Sequence, residues 1–128
     1  MSGELILIVD DNAVNLKLAR VVLQGAGYQV RTATDAEDAL TVLTTLRPKL
    51  ILMDIQLPGM HGLELTKRLK ADPATKDIVI FALTAYAMKG DEEKARASGC
   101  DGYITKPIDI DSLPQVISQR LGSSPDMP

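Results

Sequence analysis

Five polar residues of this 128-residue chain stand at or just beyond the ends of short apolar runs, and their types together suit phosphoryl chemistry. Asp10 and Asp11 follow Leu5-Ile-Leu-Ile-Val9, Asp54 follows Leu50-Ile-Leu-Met53, Thr84 follows residues 78–83, and Lys106 follows Gly102-Tyr-Ile-Thr105. Three carboxylates gathered at neighbouring chain turns repel, and one would have to hold a proton unless positive charge sat among them. A divalent cation supplies that charge, and hard oxygen donors without His or Cys favour Mg²⁺ over Zn²⁺. The ammonium of Lys106 and the hydroxyl of Thr84 suit the oxygens of a phosphoryl group. Asp54 precedes the loop Ile55-Gln-Leu-Pro-Gly59, whose backbone can wrap an attached group, which makes it the candidate nucleophile. An ionised carboxylate is already the attacking form, so acyl phosphate formation needs no general base.

Each residue also has a plainer reading. Asp10-Asp11 alone is an ordinary turn or helix-cap dipeptide. Thr84 alone can cap a loop, and Lys106-Pro107 can be a solvated turn with a cis proline. It is their placement at separate strand ends that favours a site.

The elements that must position them are written in the periodicity. Residues 5–9, 50–53 and 78–83 are short, apolar and rich in β-branched types, as strands buried on both faces are. Residues 29–33 and 102–104 are weaker strand candidates, the second closed by Pro107. Between them lie helical patterns. The first, over residues 13–24, has Asn12 as its N-cap and Val14, Leu18, Val21 and Val22 as its apolar face. The second opens at Thr34-Asp-Ala-Glu37, a capping-box spacing, and carries Ala36, Ala39, Leu40, Leu43 and Leu46 before Pro48. The third spans about residues 62–71 with Leu65 and Leu69 inward. The fourth, about 89–98, contains Gly90 and mostly charged residues, with Glu92 and Arg96 at helical spacing, so its intrinsic stability is low. The fifth starts after Asp111, tolerates Pro114 in its first turn and ends at Gly122. Strands alternating with helices predict an α/β fold with a parallel sheet covered on both faces. Ligands of such sheets collect beyond the carboxyl ends of the strands, where these five polar residues lie.

Composition narrows the rest. A mass of 13.8 kDa matches one domain. With 17 acidic against 14 basic residues, the net charge of -3 provides no field to draw a phosphate backbone, so direct nucleic-acid binding is not expected. No apolar run approaches the roughly 20 residues of a membrane span, so no membrane role is expected. The first residues lack a secretory pattern and Cys100 is the single cysteine, which together favour a cytoplasmic setting.

Val9-Asp-Asp-Asn12, Met53-Asp-Ile-Gln-Leu-Pro-Gly-Met-His-Gly62, Leu83-Thr-Ala85 and Tyr103-Ile-Thr-Lys-Pro107 resemble, in order, the motifs of the receiver domain of two-component response regulators. The resemblance implies a flavodoxin-like, doubly wound sheet in the order 2-1-3-4-5, with residues 1–121 as the receiver and 122–128 as a flexible tail. It implies phosphorylation of Asp54 by a histidine kinase or a histidine phosphotransfer protein, and a switch that catalyses its own phosphorylation and dephosphorylation. Mg²⁺ would be held by Asp10 through water, by Asp11 and Asp54, and by the backbone carbonyl of Gln56. Thr84 and Tyr103 would form a switch pair that reshapes the surface of the fourth helix, fifth strand and fifth helix for a downstream protein. Gln56 and Tyr86 occupy positions that tune phosphoryl lifetime in that family, and small Ala85 leaves the site open. Asn15 and Ala85-Tyr-Ala-Met-Lys-Gly90 extend the likeness to receivers of hybrid kinases and to stand-alone cell-cycle regulators. A receiver within a hybrid histidine kinase or multidomain regulator is therefore the alternative.

Two other classes fit less well. An aspartyl-phosphate hydrolase of the haloacid dehalogenase type needs Asp-x-Asp-x-Thr after its first strand, where this chain has Asp10-Asp-Asn-Ala-Val14. A nucleotide binder of similar topology needs a glycine-rich turn there, and residues 10–15 contain no glycine. Tyr103, judged from its residue type alone, is an edge aromatic with a wet hydroxyl. His61 reads as a solvated loop residue, Cys100 as a small semi-buried filler, and the charges of residues 89–96 as a solvated face that a partner could read.

Overall fold

The computed structural model describes residues 3–55, 61–84, 89–105, 109 and 111–121, with only the backbone of 89–92. Gln56, Ala85, Tyr86, Lys106 and Pro107 lie outside the described residues, as does the C-terminal segment 122–128. Strands β1 (Leu5–Val9), β2 (Gln29–Ala33), β3 (Leu50–Asp54), β4 (Val79–Thr84) and β5 (Gly102–Thr105) alternate with α1 (Ala13–Gly25), α2 (Ala36–Leu43), α3 (Gly62–Ala71), α4 (Lys89–Ala97) and α5 (Leu113–Leu121). The strands form one parallel sheet in the order β2-β1-β3-β4-β5.

The three apolar runs are the central strands, and their side chains divide between two cores as the pleat requires. Leu7, Val9, Ile51, Met53, Ile80 and Ala82 pack under α2, α3 and α4. Ile6, Ile8, Leu50, Leu52, Phe81 and Leu83 pack under α1 and α5, against Leu16, Leu23, Leu113 and Ile117. A sheet covered on both faces has no room for polar alternation, which is why these strands read as continuous apolar runs.

Two helices differ from expectation. On α1 the buried residues are Leu16, Ala19 and Leu23, whereas Val14, Leu18 and Val21 are 66%, 47% and 57% exposed. The helix carries apolar residues on two sides, and the side with small Ala19 is the one that approaches the sheet. On α2 the N-cap is Asp35, one residue later than the capping box would place it. Its side chain accepts from Asp38 N at 2.7 Å, while Asp38 accepts from Thr34 N at 3.2 Å. Asp38 thus takes the place expected of Glu37, but its carboxylate reaches back to Thr34 N, one residue before the cap, so the pair is a variant of the capping box. The helix also stops at Leu43: Thr44 and Thr45 turn their hydroxyls onto the carbonyls of Thr41 and Val42, and Arg47 caps Leu43 O and Leu46 O.

At the amino end of the sheet, Asp101 fastens three elements. Its Oδ2 accepts from Lys70 Nζ at 2.9 Å and from Ile80 N at 2.9 Å, and its Oδ1 accepts from Arg120 at 3.4 Å. Lys70 also donates to Ile78 O at 2.8 Å.

Candidate functional site

The site lies at the carboxyl end of the sheet, where β1 and β3 are adjacent. Val9 pairs with Met53, so the residues that follow them, Asp10 and Asp54, stand side by side. Asp10 is fully buried and Asp54 is 3% exposed, whereas Asp11 is exposed. One carboxylate oxygen from each of the three lies within 4.8 Å of the others. Two carboxylates thus form the floor and Asp11 stands at the mouth.

Local hydrogen bonding fixes that floor. Asp10 Oδ1 accepts from Asn12 N at 2.9 Å, and its Oδ2 accepts from Asn15 Nδ2 at 3.4 Å. Asn12 itself caps α1, its side chain accepting from Val14 N at 2.9 Å and Asn15 N at 3.0 Å. The turn that starts α1 is therefore the turn that aims Asp10, and the positive end of the helix dipole lies beside the acidic cluster. Asp54 ends β3, and Ile55 N continues the ladder to Leu83 O at 3.1 Å.

Thr84, 2% exposed, ends β4 on the strand next to Asp54. Tyr103 is half-buried on β5 and packs against the core under α2, α3 and α4. Tyr103 pairs with Ala82 and Thr105 with Thr84, so Thr84 and Tyr103 share one face of the sheet, two register positions apart. The carboxylates of Asp10, Asp11 and Asp54 meet, and Thr84 ends the strand beside Asp54; Gln56 and Lys106 lie outside the described residues.

A further residue matters to the geometry. A Cβ on Gly62 would sit 2.1 Å from Asp54 O and 2.7 Å from Ile55 Cα, and Gly62 N donates to Ile55 O at 3.1 Å. The first turn of α3 is pressed against the backbone of Asp54, and only glycine fits. The sequence shows a glycine at a helix start, but the close approach is a tertiary fact. His61 is exposed, as expected, yet it also caps α3: its Nδ1 accepts from Leu63 N at 3.2 Å. Cys100 is buried, and burial pushes its thiol pKa up, with smaller opposing effects from the Thr66 hydroxyl and Lys70 and a smaller upward one from Asp101.

Chemically, three oxygen donors of like charge within one coordination sphere's reach fit a hard divalent cation. No helix among the described residues is long and apolar enough to cross a membrane.

Similarity to known proteins agrees with this layout. The chain is 44% identical over 119 residues to the polar-differentiation response regulator DivK of Brucella anthropi, covering 93% of this chain and 97% of that protein. The receiver domain of the sensor histidine kinase PA1611 of Pseudomonas aeruginosa, solved with a magnesium ion in its active-site cleft, is 33% identical. It superposes with a TM-score of 0.85 over 95% of this chain and all of that one. The chemotaxis response regulator CheY4 of Vibrio cholerae is 29% identical, with a TM-score of 0.87 over 94% of this chain and 99% of its own. Residues 6–118 match the response regulator receiver domain pattern, and the chain belongs to that family of signalling switches.

Proposed function

We propose that Asp54 accepts a phosphoryl group from a phosphohistidine of a histidine kinase or phosphotransfer protein, within a receiver unit formed by residues 1–121. The observation that carries this reading is the meeting of three carboxylates within 4.8 Å at the ends of β1 and β3, with Asp54 on the buried floor. An Asp54 carboxylate oxygen forms the new bond to phosphorus as the phosphorus–nitrogen bond breaks, and the departing imidazole nitrogen takes up a proton. Asp10, Asp11, Asp54 and the Gln56 carbonyl would hold Mg²⁺, which supplies positive charge to the transferring oxygens. Lys106 stabilises the same oxygens, and the Thr84 hydroxyl donates to one of them. Apart from the cation, the chain supplies all of these groups itself, so with Mg²⁺ bound it would act as its own catalyst for phosphorylation and for hydrolysis. Movement of Thr84 toward the phosphoryl group frees space for the Tyr103 ring, and this alters the α4-β5-α5 surface offered to a downstream protein.

The first turn of α1 begins directly after Asp10 and Asp11 and so flanks the mouth of the acidic cluster. Val14, Leu18 and Val21 form an exposed apolar row at helical spacing that starts two residues beyond the Asn12 cap. Such a row beside the acidic mouth supports docking of the donor protein there.

Intact-mass measurement after incubation with Mg²⁺ and acetyl phosphate tests the assignment. The wild type should gain one phosphoryl group and Asp54→Asn none; labelling that survives the substitution overturns it.

A further inference from the structure

Lys67 on α3 and Lys94 on α4 face a cleft of about 440 Å³ that lies between the two helices and is open to solvent along its length. Leu63 and Ala97 give it an apolar lining, together with the aliphatic stems of the lysines, and His61 stands at one end. His61 Nδ1 accepts from Leu63 N, so the ring proton sits on Nε2 and is available as a donor. Among the described residues, neither lysine ammonium lies within ion-pair distance of a carboxylate. Lys70, one turn further along α3, shows the contrast: it is tied to Asp101 at 2.9 Å. Glu64 precedes Lys67 by three residues, a spacing that permits a helical pair, yet the two form none.

We propose that this α3–α4 cleft is a docking groove for an acidic segment of a partner protein. Carboxylates of the segment would pair with Lys67 and Lys94, and an apolar side chain would lie on Leu63 and Ala97. Glu64 selects among anions. A dense polyphosphate would meet its charge at short range, whereas a polypeptide offers backbone N–H groups that a carboxylate can accept. The length also suits a peptide: His61 to Lys67 spans six residues of helix, about 9 Å, or roughly three residues of extended chain. An occupant would strap α4 to α3. Among the described residues α4 gives the core only Ala95, so such a strap adds hold where the helix has little of its own.

The groove is separate from the acidic cluster, and the test does not depend on phosphorylation. A short fluorescein-labelled peptide of glutamate interspersed with leucine is titrated into the full chain, with a lysine-for-glutamate version as control. Amide shifts should centre on Leu63, Lys67, Lys94, Ala97 and Ser98. Lys67→Glu with Lys94→Glu should weaken the acidic peptide by about tenfold or more and favour the basic one. Ala97→Phe, which fills the groove without changing charge, should weaken it as well. Far-ultraviolet circular dichroism and the urea midpoint should be unchanged in both variants, showing that they are folded. The proposal is overturned by shifts centred on α1, by equal affinity for the basic peptide, or by unchanged affinity in the double variant. It is also overturned by an absence of saturable binding, or by inorganic pyrophosphate binding the same residues and displacing the peptide.

Discussion

Gly62 shows how a residue with no functional group can govern a functional one. Its Cα lies so close to the Asp54 carbonyl that an added methyl would overlap it at 2.1 Å, and backbone cannot swing aside as a side chain can. Gly62→Ala should therefore cost about 2 to 3 kcal/mol in urea unfolding and slow labelling of Asp54 by acetyl phosphate. Gly25→Ala is the control: nothing lies within 4 Å of the new methyl, and the exchange should stabilise by about 0.5 kcal/mol. Cys100 makes a different point. Burial raises its thiol above the ordinary value of 9.0, so the folded state keeps a proton that the unfolded chain releases first. Its contribution to stability is complete below that value and lost as pH rises beyond it. Iodoacetamide should label folded Cys100 far more slowly than the chain in urea, and stability should fall less steeply above pH 9 in Cys100→Ala than in the wild type. Equal slopes would show that the thiol carries no such linkage. The acidic residues of the site were legible before folding, since each ends or follows an apolar run. Gly62 was not, because its constraint comes from a neighbour eight residues earlier brought back by the chain's return.

At the scale of elements, α1 is the instructive case. Its sequence offers two apolar rows, and the row of larger residues, Val14, Leu18 and Val21, looks like the buried one. The structure buries Leu16, Ala19 and Leu23. Close packing of a helix on a sheet favours a small residue at the point of contact, and periodicity weighted by hydrophobicity undervalues alanine. Strand and helix number and most boundaries were legible because strong apolar runs alternate with capped amphipathic stretches, whereas the strand order came only from the family resemblance. The α2 cap was offset by one residue because Asp35 and Asp38 can bond as Thr34 and Glu37 can. The exposed row on α1 has a consequence of its own. Leu18 is 47% exposed, so Leu18→Glu should shift the urea midpoint little. It should slow phosphoryl transfer from a phosphohistidine protein by about tenfold, while labelling by acetyl phosphate, which needs no docking, stays unchanged. Equal slowing with both donors would mean that the substitution disturbs Asp54 and not a docking surface.

For the whole molecule, the acidic cluster sets stability against function. The net charge of -3 is small, yet three carboxylates are held within 4.8 Å of each other at one end of the sheet. Two unit charges at that separation repel by about 3.5 kcal/mol at an effective dielectric near 20, although the exposure of Asp11 reduces its share. The folded state gathers these charges, whereas the unfolded chain separates Asp54 from the other two by more than forty residues. Mutual repulsion among the three therefore works against folding, and a cation bound only by the folded chain offsets it. Mg²⁺ at about a hundred times its dissociation constant should raise stability by about 2.7 kcal/mol, and EDTA should reverse the gain. Asp11→Asn removes one of the mutually repelling charges without opening the core. It should be more stable than the wild type in EDTA, by about 1 kcal/mol or less, and gain less from Mg²⁺. The two stability curves should cross as Mg²⁺ is added, with the wild type the more stable at high concentration. Urea midpoints measured across a Mg²⁺ titration at constant ionic strength decide it. If the wild-type midpoint does not move, the three carboxylates are a strained, largely buried cluster and not a cation site. If both proteins gain equally, the cation binds without Asp11.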